Sequence, residues 1–207
     1  MQVKVPSGID AVTLRKLLAV APWTVSFLPE PLRRQFNMDT QTLAPATHET
    51  VSHHGFSEVR KSLLSNQNAL FALQTFEPGE VISDFYAGGI YTQPTYLTVQ
   101  TGIDRHITLQ PEFLQYINHS CAPNVFFDTT TMQLICLRPI GEEEELTFFY
   151  PSTEWDMVQP FNCYCGSSNC LGEIRGAAYL SAKNITQYRL TDFIQQQLHE
   201  RATEKRA

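Results

Sequence analysis

The sequence predicts a mostly β domain with flanking helices, an α+β fold. The main observation is a series of short runs rich in β-branched and aromatic residues between residues 56 and 150, separated by turns such as EPGE and PIGEE. A second observation is the helical spacing of apolar residues over 9–20 and from about 184 to 204. The 207 residues, 43% of them hydrophobic, suffice for one domain with a hydrophobic core.

The expected elements follow one another along the chain. An N-terminal helix, IDAVTLRKLLAV, ends before Pro22 because proline disfavours a helical residue ahead of it. The strands expected after it are FSEVRKS (56–62), ALFALQTF (69–76), EVISDFYAG (80–88), HITLQ (106–110), VFFDTTTMQLICLRPI (125–140) and ELTFFY (145–150). The segment between the helix and residue 55 contains four prolines, and no function is assigned to it.

Composition excludes several function classes. The formal net charge of −6 and the sequence pI near 5.5 argue against a surface that binds nucleic acid by neutralising phosphates. No run of eighteen apolar residues appears, so no membrane span is expected. The opening MQVKVPSGID lacks the charged-then-apolar layout of a secretory signal, which favours an intracellular protein, cytoplasmic or nuclear.

The cysteines predict a metal site in the second half of the chain. Three of the five form CYCGSSNC, a C-x-C-x4-C arrangement over residues 163–170. Structural zinc takes four ligands, so a fourth must come from elsewhere, and Cys121 and Cys136 are the candidates. The alternative is a set of ordinary buried thiols, which fits poorly with three cysteines among eight mostly polar residues.

Four stretches together resemble one family, the SET domain methyltransferases, which transfer a methyl group from S-adenosylmethionine to lysine. YINHSCAPN (116–124) resembles the most specific signature of that family, and EELTFFY (144–150) resembles its second. CYCGSSNCLG (163–172) resembles the post-SET zinc segment, and the stretch 59–89 resembles the opening strands. The likeness covers roughly residues 56–176, and the four stretches occur in the family's order.

The resemblance implies a fold and domain boundaries. The SET fold consists of small curved β-sheets around a pseudoknot-like crossing, where the stretch 115–124 meets the segment through Tyr150. The implied organisation is an N-terminal helical or irregular extension (1–55), the SET domain (56–155), the post-SET zinc segment (156–176) and a C-terminal helix (177–207).

The resemblance also implies catalytic and channel residues. Tyr150 matches the catalytic tyrosine whose hydroxyl orients the substrate amine, and Tyr86 matches the tyrosine of the Y-x-G strand, another wall of the lysine channel. Phe148 and Tyr116 are expected along that channel. A phenylalanine at 148 lacks a hydroxyl that would restrain the amine, which favours di- or trimethylation. From the pattern alone, these aromatic residues fit ordinary β-core packing.

The implied cofactor is S-adenosylmethionine. Asn118 and His119 match positions that contact it, partly through backbone groups. Gln67, Asn68 and Ala69 stand where the family usually has G-x-G, and here both glycines are replaced. A Cβ at either place could crowd the cofactor or shift the loop, because glycine allows a close backbone approach.

The implied zinc ligands are four cysteines. Cys121 of the first signature joins Cys163, Cys165 and Cys170, while Cys136 is the spare and is expected in a strand. Such a site is structural, since four thiolates leave no open position for an activated water.

The expected function is lysine methylation of a protein or peptide, with no particular histone assumed. A lysine-bearing protein or peptide is the expected partner, whereas binding to nucleic acid or to a membrane is not expected. Two alternatives stay open. One is a zinc-stabilised SET-like binding module with weak or no turnover, suggested by the replaced glycines; the other is methylation of a small-molecule or peptide amine.

Overall fold

The computed structural model describes residues 47–204. The expected helix over 9–20, and most of the extension before residue 56, lie outside this range. The strands are β1 (His48–His54), β2 (Ser57–Ser62), β3 (Asn68–Ala72), β4 (Val81–Asp84), β5 (Tyr86–Tyr91), β6 (Thr98–Gly102), β7 (Arg105–Gln110), β8 (Asn118–His119), β9 (Val125–Asp128), β10 (Gln133–Cys136), β11 (Thr147–Phe148), β12 (Phe161–Asn162) and β13 (Glu173–Ile174). Within the same range, the α-helices are α1 (Ala182–Ile185) and α2 (Asp192–Glu204).

The first sheet is antiparallel and has the order β1-β2-β3. The turn from β1 to β2 contains Gly55, whose φ of 65° lies in the left-handed region that favours glycine. The pairing of β2 with β3 sets Val59 opposite Leu70, and both side chains are buried. Strand β1 was not predicted, because its residues are mostly polar and exposed and show no apolar alternation. It begins at His48, ahead of the boundary expected at residue 56.

Two more three-stranded sheets complete the β framework. One has the order β4-β10-β9 and places Leu134 opposite Phe127, both with no exposed surface. The other has the order β5-β7-β6, with the fully buried Ile107 in its central strand. Cys136 is buried in β10, which confirms that this cysteine is packed in a strand.

The expected meeting of two distant segments is present as the pairing of β8 with β11, here called the crossing. The two strands run parallel, with Asn118 opposite Thr147 and His119 opposite Phe148. The buried side chain of Asn124 strengthens the crossing. Its Oδ1 accepts a hydrogen bond from the Thr147 N–H at 2.7 Å, and its Nδ2 donates to the Glu145 carbonyl oxygen at 2.8 Å.

Within residues 47–204, the hydrophobic residues form one main core and two smaller clusters. The main core joins the three larger sheets and includes Phe148. A second cluster surrounds Cys121, Cys163 and Ile174. The partly buried ring of Tyr150 packs against both, so Tyr150 lies where the β framework meets the cysteine segment.

The C-terminal segment contains two helices rather than the single helix expected from about residue 184. The short α1 ends at Ile185, and α2 starts at Asp192 after a bend. Thr191 explains the new start, because its hydroxyl lies 3.4 Å from the Ile194 N–H and satisfies a first-turn donor. Ile194 then packs beside Ala177 and Leu190. Within residues 47–204, no helix has the length and apolar character required to cross a membrane.

Candidate functional site

The fold brings four cysteines together, here called the cysteine cluster: Cys121, Cys163, Cys165 and Cys170. Their four sulfur atoms all lie within 4.8 Å of one another, and those of Cys121 and Cys163 are 4.0 Å apart. Four thiolates around one zinc ion at its usual bond length are about 3.8 Å apart, so the cluster fits a tetrahedral zinc site. The distances therefore select Cys121, and not Cys136, as the fourth member.

The protein environment of the cluster holds Cys121 from several sides. The Leu171 N–H points to its sulfur at 3.4 Å. Its carbonyl oxygen accepts hydrogen bonds from the Asn169 amide at 2.7 Å and from the Tyr188 hydroxyl at 2.9 Å. The ring of Tyr188 also stacks on Phe149, with ring centres 3.7 Å apart. The cluster is thus connected to the residue that precedes Tyr150.

The thiols of the cluster differ in acidity. Burial raises the pKa of Cys163 to about 11 and also raises the pKa of Cys121. Burial acts in the same direction on Cys165, but hydrogen bonds from Ser167 outweigh it and lower the pKa of Cys165 to about 6. The two buried thiols therefore stay protonated at neutral pH unless a cation displaces their protons, which is the behaviour of thiolate ligands for zinc.

His119 connects the cluster to Tyr150. The Tyr150 N–H donates to His119 Nδ1 at 3.2 Å, and His119 Nε2 lies 3.4 Å from the sulfur of Cys121. Because Nδ1 accepts, the ring proton of the neutral imidazole belongs on Nε2, which then donates toward the sulfur. Burial lowers the pKa of His119 to about 4, which keeps the ring neutral at physiological pH.

Tyr150 lies in an aromatic environment. Its ring centre is 4.7 Å from that of Phe148, 5.2 Å from that of His119 and 5.9 Å from that of Phe161. Burial, with smaller effects from the charges of Glu145 and Glu154, raises the pKa of Tyr150 to about 12. The phenol therefore keeps its proton at neutral pH and can both donate and accept a hydrogen bond.

Asn118 lies beside the loop in which the expected glycines are replaced. Its side-chain amide donates to the Asn68 carbonyl oxygen at 3.1 Å and to Glu145 Oε1 at 3.0 Å. Ala69 is buried in β3, and Gln67 is exposed at the end of the preceding turn. In this turn the positive φ falls on Asn66, at 62°, so neither Gln67 nor Ala69 requires the backbone freedom of glycine.

The remaining predicted channel residues are distributed unevenly. Phe148 is buried between Phe127 and Tyr150. Tyr116 is partly buried against the main core. Tyr86 lies on β5 with 65% of its surface exposed, and among the described residues its ring forms no aromatic pair with Tyr150 or Phe148. The structure thus brings Phe148 to Tyr150 and leaves the ring of Tyr86 largely exposed.

Some site residues were missed from the sequence. Glu145 bonds the Asn118 amide, and Asn124 fixes the crossing, although both occur in the quoted signatures. Tyr188 and Phe161 complete the surroundings of the cluster and of Tyr150. Their positions near the cysteine segment gave no pattern that distinguishes them from ordinary packing residues.

Comparison with known proteins agrees with this geometry. The SET domain family matches residues 67–151, which include the crossing, Asn118, His119 and Tyr150. These residues form a SET domain. The cysteine cluster follows that SET domain and is consistent with a post-SET zinc site.

Several named proteins are similar in sequence to part of this chain. Methyltransferase flvH of Aspergillus flavus is 50% identical over 102 residues, which are 48% of this chain and 57% of flvH. A Saccharomyces cerevisiae histone-lysine N-methyltransferase, H3 lysine-36 specific, is 27% identical over 47% of this chain and 14% of its own length. An Aspergillus fumigatus histone-lysine N-methyltransferase, H3 lysine-4 specific, is 42% identical over 28% of this chain and 5% of its own. The SET domain chain therefore spans little more than half of flvH and a small part of the two histone-lysine enzymes.

One solved structure that is similar to part of this chain is the methyltransferase domain of the human histone-lysine N-methyltransferase SETMAR. It is 16% identical, with a TM-score of 0.39, over 53% of this chain and 54% of that chain.

Proposed function

We propose that this SET domain chain transfers methyl groups from S-adenosylmethionine to a lysine side chain of a protein. The observation that carries the proposal is the position of Tyr150, which packs against Phe148 and is bonded to His119 at the crossing. A buried, protonated phenol beside aromatic rings suits a channel for an uncharged amine, since burial disfavours the ammonium form of lysine. The partial likeness to histone-lysine N-methyltransferases supports lysine as the acceptor.

The crossing offers a site for S-adenosylmethionine. Among the described residues, β8 pairs only with β11, so the main-chain groups on its other edge are free to bond a ligand. Asn118 fixes the neighbouring loop by donating to the Asn68 carbonyl oxygen. We assign cofactor binding to Asn118 and His119 together with the loop from Gln67 to Ala69. When bound, the cofactor supplies a methyl group on a positively charged sulfur, which is already a good leaving group.

The protein then has to position the acceptor and exclude water. Tyr150 orients the neutral amine through its hydroxyl, so that the nitrogen lone pair faces the methyl carbon. With the cofactor bound, the amine held in this way would take its methyl group and would then give up a proton to water. Phe148 presents no hydroxyl to the amine, which leaves room for a second and third methyl group. Tyr86 is proposed as an outer wall of the channel, and Tyr116 as a neighbouring one.

Zinc is proposed as a structural ion in the cysteine cluster. The cluster supplies four sulfur ligands, so the coordination sphere is closed and offers no place for an activated water. Its contribution is to hold the segment around Cys163 against His119 and Tyr150. Loss of the ion is then expected to reduce activity through loss of order.

A small-molecule or peptide amine is the second candidate acceptor. The relative that shares 50% identity is named a methyltransferase, and its name specifies no histone. The same channel would accept any primary amine on a sufficiently long and slender chain. The two candidates differ in which acceptor becomes labelled, not in the residues that act.

The test is transfer of a labelled methyl group from S-adenosylmethionine to lysine-bearing proteins, peptides and small primary amines. We expect Tyr150→Phe to reduce turnover by at least about a hundredfold while the fold and cofactor affinity are kept. Tyr96→Phe is the matched control, since Tyr96 is 86% exposed, and it should retain full turnover. Unchanged turnover in Tyr150→Phe would contradict the catalytic role. Labelling of small amines alone would favour the second candidate, and cofactor binding without any transfer would favour a binding module.

A further inference from the structure

Glu154 is a largely buried carboxyl group four residues after Tyr150 that the proposed chemistry does not use. Its Oε1 accepts a hydrogen bond from the Gln100 N–H at 2.9 Å and lies 3.3 Å from the Thr153 hydroxyl. Gln100 belongs to β6, in the sheet that also contains β5 and Tyr86. The carboxyl group therefore reaches from the chain after Tyr150 to a different sheet.

The contact between the two segments is reciprocal. While Glu154 accepts from the main chain of Gln100, the side-chain Oε1 of Gln100 accepts from the Trp155 N–H at 2.9 Å. The side-chain amide of Gln100 also donates to the Gly102 carbonyl oxygen at 3.0 Å. Gln100 is only 6% exposed, so these bonds form away from water and fix the two segments in one register.

The main chain of Glu154 is bonded to Tyr150 itself. The carbonyl oxygen of Tyr150 accepts from the Glu154 N–H at 3.0 Å and from the Thr153 N–H at 3.1 Å. The carbonyl oxygen of Glu154 accepts from the Ala177 N–H at 2.8 Å, in the segment that follows the cysteine cluster. Residue 154 thus joins the turn that begins at Tyr150 to β6 on one side and to the cysteine segment on the other.

A carboxyl group at this place has an electrostatic effect that an amide would not have. Burial outweighs the hydrogen bonds from Gln100 and Thr153 and raises the pKa of Glu154 to about 7. Burial is the largest cause of the raised pKa of Tyr150, and the charges of Glu145 and Glu154 raise that pKa further. Glu154 therefore changes its charge near neutral pH, close enough to affect the phenol.

We propose that Glu154 is a positioning residue for methyl transfer, which holds the turn carrying Tyr150 against β6 and so sets the place of the tyrosine hydroxyl. This inference rests on the proposed function of Tyr150. It assigns Gln100 a matching role, because the main-chain and side-chain groups of Gln100 complete the bridge from the other side. The sheet that contains Tyr86 is then kept in register with Tyr150 by these two residues.

Other ionisable groups face the same region and have to be separated from Glu154. His119 and Glu145 lie near Tyr150, and the hydrophobic cluster around Cys121 and Cys163 packs against its ring. His106 of β7 pairs with Gln100 of β6, and burial lowers the pKa of His106. A change at residue 154 alone distinguishes its contribution, since Glu154→Gln keeps an oxygen acceptor for Gln100 and removes only the charge.

The first test does not depend on turnover. Zinc-replete protein labelled at the Cζ carbon of tyrosine is titrated by NMR, and the Tyr150 signal is assigned by its absence in Tyr150→Phe. We expect the Tyr150 shift to change with an inflection near pH 7, following the pKa of Glu154, and the inflection to vanish in Glu154→Gln. His106→Gln is the control and should keep it. An unchanged inflection in Glu154→Gln would overturn the proposal.

The second test is a double-mutant cycle on methyl transfer. Glu154→Ala should lower kcat by at least about tenfold with KM changed less than about threefold, because it misplaces Tyr150 rather than weakening substrate binding. Glu154→Gln should recover most of this loss. In the Tyr150→Phe background, Glu154→Ala should lower kcat little further, since the hydroxyl that Glu154 positions is gone. If the kcat losses of Tyr150→Phe and Glu154→Ala were fully additive, Glu154 would be a merely structural residue that does not act through Tyr150. Absence of transfer in the unmodified protein would refute the proposed function, while the NMR titration would still decide whether Glu154 acts on Tyr150.

Discussion

His119 uses both nitrogen atoms of one ring to join Tyr150 to the cysteine cluster. Nδ1 accepts from the Tyr150 main chain, and Nε2 faces the sulfur of Cys121. A histidine in the neutral form is required, since a protonated ring would have no acceptor for the Tyr150 N–H. The residue that the signature presents as a cofactor contact is thus also part of the support for the tyrosine.

Phe148→Tyr tests the link between one side chain and the number of methyl groups transferred. We expect mass spectrometry of the product to show a shift from di- and trimethylated toward monomethylated amine, because the new hydroxyl would bond the amine and occupy space. The substitution should also cost about 1–3 kcal/mol of stability if the hydroxyl finds no partner at this buried site.

Phe85→Tyr is the matched control for Phe148→Tyr, since Phe85 is a buried phenylalanine of the main core whose ring pairs with Phe127 and, within residues 47–204, not with Tyr150. It should lower stability without changing the distribution of products. A product distribution that is the same for Phe148→Tyr and the unmodified protein would contradict the role of Phe148.

Asn124→Ala tests the residue that fixes the crossing. The amide of Asn124 has no exposed surface and bonds the main chain of Thr147 and Glu145. Its removal leaves a buried N–H without an acceptor, so we expect the free energy of unfolding to fall by about 2–3 kcal/mol in a denaturant titration. Gln187→Ala, at an exposed residue of the C-terminal segment, should change it by less than about 0.5 kcal/mol. If both substitutions lowered the free energy of unfolding equally, the role of Asn124 would be refuted.

At the scale of elements, the cysteine cluster joins the crossing to the segment that contains Cys163, Cys165 and Cys170. Strands β12 and β13 contain only two residues each, too few to hold a segment by main-chain bonds alone. We therefore expect the segment to depend on a metal ion held by the four sulfur atoms, in addition to the bonds that Asn169 and Tyr188 make to Cys121.

Cys163→Ser tests that dependence against Cys136→Ser. The purified protein should contain about one equivalent of zinc, as a single four-cysteine site requires. Cys163→Ser should lose the metal and lower the melting temperature, whereas Cys136→Ser, outside the cluster, should keep the metal. Metal analysis and thermal unfolding measure both effects. A folded preparation with no metal would contradict the zinc assignment.

The elements differ in how well the sequence predicts them. Short β-like runs between turns made β2, β9 and β10 recognisable, and residues of each belong to the main core. Strand β1 gave no such signal because most of its side chains face water. Strands β8 and β11 have two residues each, so no periodicity could identify their pairing, and only the likeness of their signatures to a known family did so.

The candidate site was predictable to a similar degree. The four cysteines come together as expected, and Phe148 lies beside Tyr150. The catalytic, channel and cofactor roles remain predictions, as do the domain boundaries. The bridge between Gln100 and Glu154 could not be predicted, because it joins residues 54 positions apart through one main-chain and one side-chain bond, which leave no pattern in the sequence.

At the scale of the whole molecule, Glu154 makes the stability depend on pH. Burial raises its pKa from 4.5 to about 7 in the folded protein, so the folded state holds a proton that the unfolded state has already lost. The contribution is fully present below about pH 4.5 and is lost as the pH rises through 7. Its upper bound is about 3 kcal/mol.

Glu154→Gln removes this dependence. The difference in unfolding free energy between the unmodified protein and Glu154→Gln should change in favour of the variant between pH 4.5 and 8, when measured by denaturant titration at several pH values. Contributions of other groups cancel in the difference, provided that they titrate alike in both proteins. A constant difference across that range would mean that the folded protein does not raise the pKa of Glu154.

The bonds from Thr191 to the turn at Tyr150 have a consequence for biosynthesis. The main chain and the hydroxyl of Thr191 both donate to the Ser152 carbonyl oxygen, at 3.0 and 3.1 Å. Ser152 leaves the ribosome well before Thr191, so on the nascent chain the turn is formed without its later partner. Domains begin to fold during synthesis. The sheets can therefore assemble early, while the surroundings of Tyr150 reach their final form only after translation has passed residue 191.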